Sequence, residues 1–131
     1  MSQTRFDGEL DGNPETKIAT ATVRGMRFGK FVAGGVQECD TAGEKVDCII
    51  AFDALVGVGV TCYTTGARNK VTAGAALTQH GRVATDAQAR AIPQTAEHAF
   101  QAGYSNDSVS GAGLVAVIAL EPLPVTAGEV P

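Results

Sequence analysis

The chain of 131 residues has no tryptophan, only two histidines and three cysteines, and its aromatic residues amount to 5%. Each scarcity excludes something. A structural zinc centre needs four donors. Neither His80 nor His98 stands at a metal-ligand spacing from a cysteine, and no Cys-x-x-Cys occurs. Cys39, Cys48 and Cys62 cannot all pair, so a disulfide framework is not the source of stability. Cys48 and Cys62 read as small buried hydrophobes in a protein made in a reducing compartment. No apolar stretch approaches the roughly 20 residues a membrane-spanning helix needs. Met1–Gly12 is polar and acidic, unlike a secretion leader. Basic residues are outnumbered 10 to 14, for a net charge of −4. A nucleic-acid partner would want a basic face, so none is expected.

Catalytic signatures are also missing. Gly25–Lys30 ends in Gly-Lys but is one residue short of a phosphate loop, and Phe31 stands where Ser or Thr is required. Gly57-Val58-Gly59 lies inside a strand pattern rather than a strand-to-helix turn. Asn106-Asp107-Ser108 matches a glycosylation acceptor, with no secretion signal to give it meaning. No Gly-x-Ser-x-Gly elbow exists. These readings name no catalytic, cofactor-binding or metal residue, and the expectation is a protein that is not an enzyme.

What the chain does contain is period-two alternation. From Val46 to Cys62 every even position is apolar or small: Val46, Cys48, Ile50, Phe52, Ala54, Val56, Val58, Val60, Cys62. That period marks a β-strand with one buried face. The run is too long for one average strand of about five or six residues, so it is one bent strand or two strands joined near Asp53–Gly57. Val, Ile and Thr number 32 against 8 for Leu plus Met, a balance that favours strands. The expected fold is all-β, in a single domain. Its core is thin, and association is one remedy for a thin core.

Three regions follow: an N-terminal arm at 1–16, a β-rich body at 17–123 and an extended tail at 124–131. Lys17–Arg24 reads as a first strand, and Gly34-Gly35 as the turn between Lys30–Ala33 and Val36–Cys39. Leu114–Leu120 is a continuous apolar run, which suits a strand buried on both faces. The stretch 86–102 is ambiguous. Thr85 with Gln88 fits a capping box ahead of a short helix, whereas Ala87, Ala89 and Ala91 fit a strand face, and strand is preferred for Gln88–Ile92. The tripeptide Thr-Ala-Gly at Thr41, Thr72 and Thr126 is taken as chance recurrence. Charge is blocked along the chain, acidic up to Thr16, basic from Lys17 to Lys30 and acidic again from Glu38 to Asp53; the first reading of such blocks is ordinary solvated surface, and the second is complementarity between neighbouring copies.

The order Val71-Thr72-Ala73-Gly74, Ala76-Leu77-Thr78, Gly81-Arg82-Val83-Ala84, Ala91-Ile92-Pro93, then Gly111-Ala112-Gly113 and Leu114–Leu120 resembles the capsid decoration, or cement, proteins of tailed bacteriophages. The resemblance covers about 50 residues closely and the earlier half more loosely. It implies a small single-domain β-barrel or β-tulip-like body and a structural role on the outer surface of the expanded capsid, where such proteins brace capsomers of the major capsid protein, often as homotrimers. The implied locations are the virion and, during assembly, the host cytoplasm. No cofactor and no membrane partner are implied. In several such proteins an N-terminal arm adds to a strand of the lattice. Here Phe6 and Leu10 are an even number of residues apart and would share one face of an added strand, with Arg5 beside them for an acidic lattice residue. Arg5, Phe6 and Leu10 are therefore the candidate capsid contacts. Two alternatives stand beside this reading: another virion β-module, tail- or fibre-associated, and a small β-barrel enzyme or ligand binder.

Overall fold

The computed structural model describes residues 13–125, and within them ten strands and no helix. The first five are β1 (Pro14–Ile18), β2 (Arg27–Val32), β3 (Gly35–Glu38), β4 (Cys48–Ile50) and β5 (Gly59–Tyr63). They form one sheet in the order β1-β5-β4-β2-β3. The second five are β6 (Arg68–Thr72), β7 (Arg82–Thr85), β8 (Ala91–Pro93), β9 (Phe100–Ser105) and β10 (Val115–Pro124). Their order is β6-β10-β9-β7-β8. All ladder pairs are antiparallel.

The two orders are the same order, and the agreement extends to single residues. Ile18 faces Gly59 as Thr72 faces Val115. Gly29 faces Glu38 as Val83 faces Pro93, and Ile50 faces Cys62 as Ser105 faces Ile118. Four isolated bridges outside the ladders fall into two equivalent pairs: Ala19–Val36 with Ala73–Ala91, both parallel, and Val23–Ala54 with Leu77–Val109, both antiparallel. Gly57 donates to Ala19 O and Gly113 to Ala73 O, each at 2.8 Å, and both glycines have φ +89. Met26 and His80, at φ 58 and 69, make equivalent bonds to Ile50 O and Ser105 O. The chain is thus one five-stranded unit drawn twice. Each unit curls until its two edges touch through a single parallel bridge.

The expected all-β class holds, and in place of a single barrel or β-tulip-like body the structure has two curled antiparallel sheets, neither a closed barrel. The edge strands of each unit meet only at the bridges Ala19–Val36 and Ala73–Ala91, with no ladder between them. The long alternation resolves into β4 and β5 with the connection 51–58 between them. Val46, Cys48, Ile50, Val60 and Cys62 are buried as the pattern requires, whereas Phe52, Val56 and Val58 are exposed, because the connection leaves the sheet. The first strand begins at Pro14 rather than Lys17, so residues 14–16, assigned to the arm, belong to β1. The run Leu114–Leu120 alternates instead of being buried on both faces: Ala116, Ile118 and Leu120 are inside, while Leu114 and Val115 are exposed. In 86–102 there is no helix. Asp86 Oδ1 accepts the Gln88 and Arg90 N–H groups at 2.9 and 2.8 Å, a side-chain turn that uses up the capping signal, and strand starts only at Ala91.

Two apolar clusters result. Inside the first curl lie Ala19, Val23, Val36, Cys48, Ile50, Ala54, Val60 and Cys62. The other face of the same sheet carries Phe28, Cys39, Val46 and Ile49, which join Val71, Ala73, Leu77, Val83, Ala91, Ile118 and Leu120 of the second unit. β4 is therefore buried on both faces, one face per cluster. The residues of the second unit equivalent to Phe28, Cys39 and Ile49 are Arg82, Gln94 and Tyr104, and none belongs to the shared cluster. The units pack head to tail, not face to face.

Candidate functional surface

The residues expected to contact a capsid, Arg5, Phe6 and Leu10, lie outside the described residues. What the structure gives is the point where their segment joins the body. Asn13 Nδ2 donates to Thr65 O at 2.6 Å, and Asn13 O accepts from Thr64 N and Thr64 Oγ1 at 3.1 and 2.8 Å. The chain thus enters β1 beside the end of β5, with exposed Pro14, Glu15 and Thr16 on an edge strand. The 51–58 connection lies at the other end of β1, where Ala19 N donates to Val58 O at 2.9 Å.

The ionisable groups serve the backbone. Glu44 Oε2 accepts from the Asp40 and Thr41 N–H groups at 2.7 and 2.9 Å, while its Oε1 accepts from Lys30 at 2.9 Å. Asp47 accepts from Phe31 N, Asp53 from Gly25 N, and Asp107 from Val117 N. Glu38 takes the Arg24 N–H and, in a forked pair at 2.9 and 2.7 Å, its guanidinium. The Lys30 hydrogen bond holds the Asp40 carboxyl below its ordinary value, and the bonds to Asp40 and then Glu44 raise Lys30. A general acid needs a carboxyl pushed the other way, into a cleft.

His80 is a loop residue in the left-handed region. His98 Nδ1 accepts from Thr95 N at 3.0 Å, closing a turn over residues 95–98. Among the described residues no group of His, Cys, Asp and Glu is placed to hold a metal. Cys39, Cys48 and Cys62 are free and buried. The hydrogen bond to Cys62, and then burial, push the Cys48 thiol up; burial does the same to Cys39, while the bond to Cys48 lowers Cys62. A nucleophile needs access together with a lowered value, and no thiol here has both, since Cys62 is fully buried.

The notable surface was hidden by the alternation itself. Reading 46–62 as one strand pattern assigned Phe52, Val56 and Val58 to a buried face, yet together with Leu55 they are exposed on one connection. Asp53 and Gly57, which break the apolar run, were the available sign that the chain leaves the sheet there.

The architecture defines an all-β protein of two curled, five-stranded units in tandem. No family model and no curated protein matches the sequence. Among solved structures, the fold matches the crystal structure of the head fibre gp8.5 N base in bacteriophage phi29, with a TM-score of 0.68 at 16% identity, over 87% of this chain and 98% of that one. At that identity the match establishes a shared fold.

Proposed function

We propose that this chain is a structural protein of a bacteriophage virion that binds the outer surface of the expanded head and cements capsomers of the major capsid protein, with its copies associated as trimers. The observation that carries the reading is the fold match to a head fibre base over nearly all of that chain. It is supported by the resemblance of Lys70–Leu120 to capsid decoration proteins, whose residues make up the strands and turns of the second unit. The arm would attach by strand addition, with Phe6 and Leu10 on one face and Arg5 at the rim, where an exposed ion pair is worth on the order of 0–1 kcal/mol. Co-sedimentation with phage heads tests the reading. Binding to expanded heads and not to unexpanded ones is the expected result, and no binding to either refutes it. A second reading, as the base of a head fibre, is favoured by the same match. Cementing raises the temperature at which filled heads release DNA, whereas a fibre base leaves it unchanged.

A further inference from the structure

We propose that the connection 51–58, with the adjoining Ile18, is a self-association surface that receives a second copy of this chain. The second unit supplies an internal control. Its equivalent connection, 106–114, makes the same backbone bonds. Ala51 N and Asn106 N donate to Thr61 O and Val117 O, Ala54 N and Val109 N to Val23 O and Leu77 O, and Gly57 N and Gly113 N to Ala19 O and Ala73 O. Even the side-chain tie at the root is repeated, with Asp53 accepting from Gly25 N and Ser108 from Gln79 N. The second unit builds this scaffold with Asn106, Asp107, Ser108, Ser110, Gly111 and Ala112, and only at the last position, where Leu114 is 47% exposed in the place of Val58, does it show a large exposed apolar side chain. The first places Phe52, Leu55 and Val56 there, 46%, 68% and 63% exposed. The scaffold does not require those apolar side chains, so their exposure has to be accounted for by something outside the fold.

With Val58 and Ile18, 46% and 48% exposed, the surface offers roughly 500 Å² of apolar area, at the level of the largest patch on a typical monomer. That is also about the apolar share of a standard interface of roughly 800 Å² per partner. At its root Arg24 is paired with Glu38, and Asp53, whose carboxylate takes the Gly25 N–H, is the one charged residue within the connection. An occupant must match it with apolar area of similar extent and leave the Asp53 carboxylate at the solvated rim. The same loop on a second copy supplies apolar area of that extent. The proposal gives a surface to the self-association in the reading above and does not depend on capsid binding.

The three native thiols are buried, which makes an added thiol at the loop selectively reactive. Leu55→Cys is expected to give covalent dimers with a short bismaleimide, and Ser110→Cys, at the equivalent place in the second unit, to give none. Sedimentation should show the parent associating and Leu55→Ser with Val56→Ala weakening that association about tenfold or more, with an unchanged circular dichroism spectrum. Equal cross-linking at the two sites, or a parent that stays monomeric at high concentration, overturns the proposal. If the double variant loses head binding while the parent is monomeric, the occupant is the capsid, and the proposal fails while the virion reading stands. If heads are not bound but the Leu55→Cys variant cross-links, the reverse holds.

Discussion

The two units share a backbone register and almost nothing else, and the difference shows which parts of this fold are fixed by the chain path and which are free. Equivalent interior positions hold Val23 and Leu77, Val36 and Ala91, Ile50 and Ser105, Cys62 and Ile118. Facing pairs exchange bulk: Gly29 faces Cys48 in the first unit, and Val83 faces Gly103 in the second. Interiors are packed closely enough that a large residue on one strand demands a small one opposite. The invariant features are backbone ones, the left-handed turn at Gly57 and Gly113, the left-handed residues Met26 and His80, and the parallel bridge that closes each curl.

The largest break in this comparison is at Gly103. A Cβ there would come 1.9 Å from Ala119 O, a backbone atom held next to the register shift between Leu120 and Leu123. Its equivalent, Cys48, carries a side chain without difficulty. Gly103→Val is expected to cost at least about 3–5 kcal/mol and to leave little soluble protein. Phe28→Ala removes the first unit's largest contribution to the shared cluster, at about 3–5 kcal/mol by denaturant melting. Because that cluster joins the units, the variant should also show two transitions where the parent shows one.

The bulk exchange can be tested directly. A Cβ on Gly29 would lie 2.8 Å from Cys48 Sγ, so Gly29→Val alone should cost about 1–3 kcal/mol. Adding Cys48→Gly recreates the pair of the second unit, and the double variant should be less destabilised than the sum of the singles by about 1 kcal/mol. A smaller effect belongs to the Lys30 pair, since the second unit has Ala84 at that place and no such pair. Asp40, held low by Lys30, contributes stability that is present above the unfolded carboxyl value and lost as pH falls through the folded one. Lys30, held high, contributes stability that is full below the ordinary lysine value and lost as pH rises through the raised one. Thermal melting of the parent should therefore fall more steeply below about pH 4 than that of Lys30→Met.

The all-β class was legible because β-branched residues and period-two patterns report directly on strands. The Gly34-Gly35 turn was equally plain: it joins β2 and β3, and both glycines have positive φ. The repeat was not legible. Its equivalences run through backbone hydrogen bonds, while the side chains differ at nearly every matched position; Ala19 with Ala73 and Gly57 with Gly113 are among the few identities. The recurring Thr-Ala-Gly tripeptide was unrelated to it: Ala73 and Gly74 are matched by Ala19 and Thr20. The apolar loop was concealed because exposed and buried valines look alike in a sequence, and only the departure of 51–58 from the sheet separates them.

That the two connections are interchangeable as structure but specialised as surface is tested most directly by replacing residues 51–58 with residues 106–114 and measuring the thermal midpoint of the graft. The expected result is a cooperative transition within about 5 °C of the parent, since a loss near 1 kcal/mol moves a domain of this size by only a few degrees. A graft that fails to fold, or melts more than about 10 °C lower, would show that Phe52, Leu55 and Val56 hold the first unit together and are not a surface set aside for a partner.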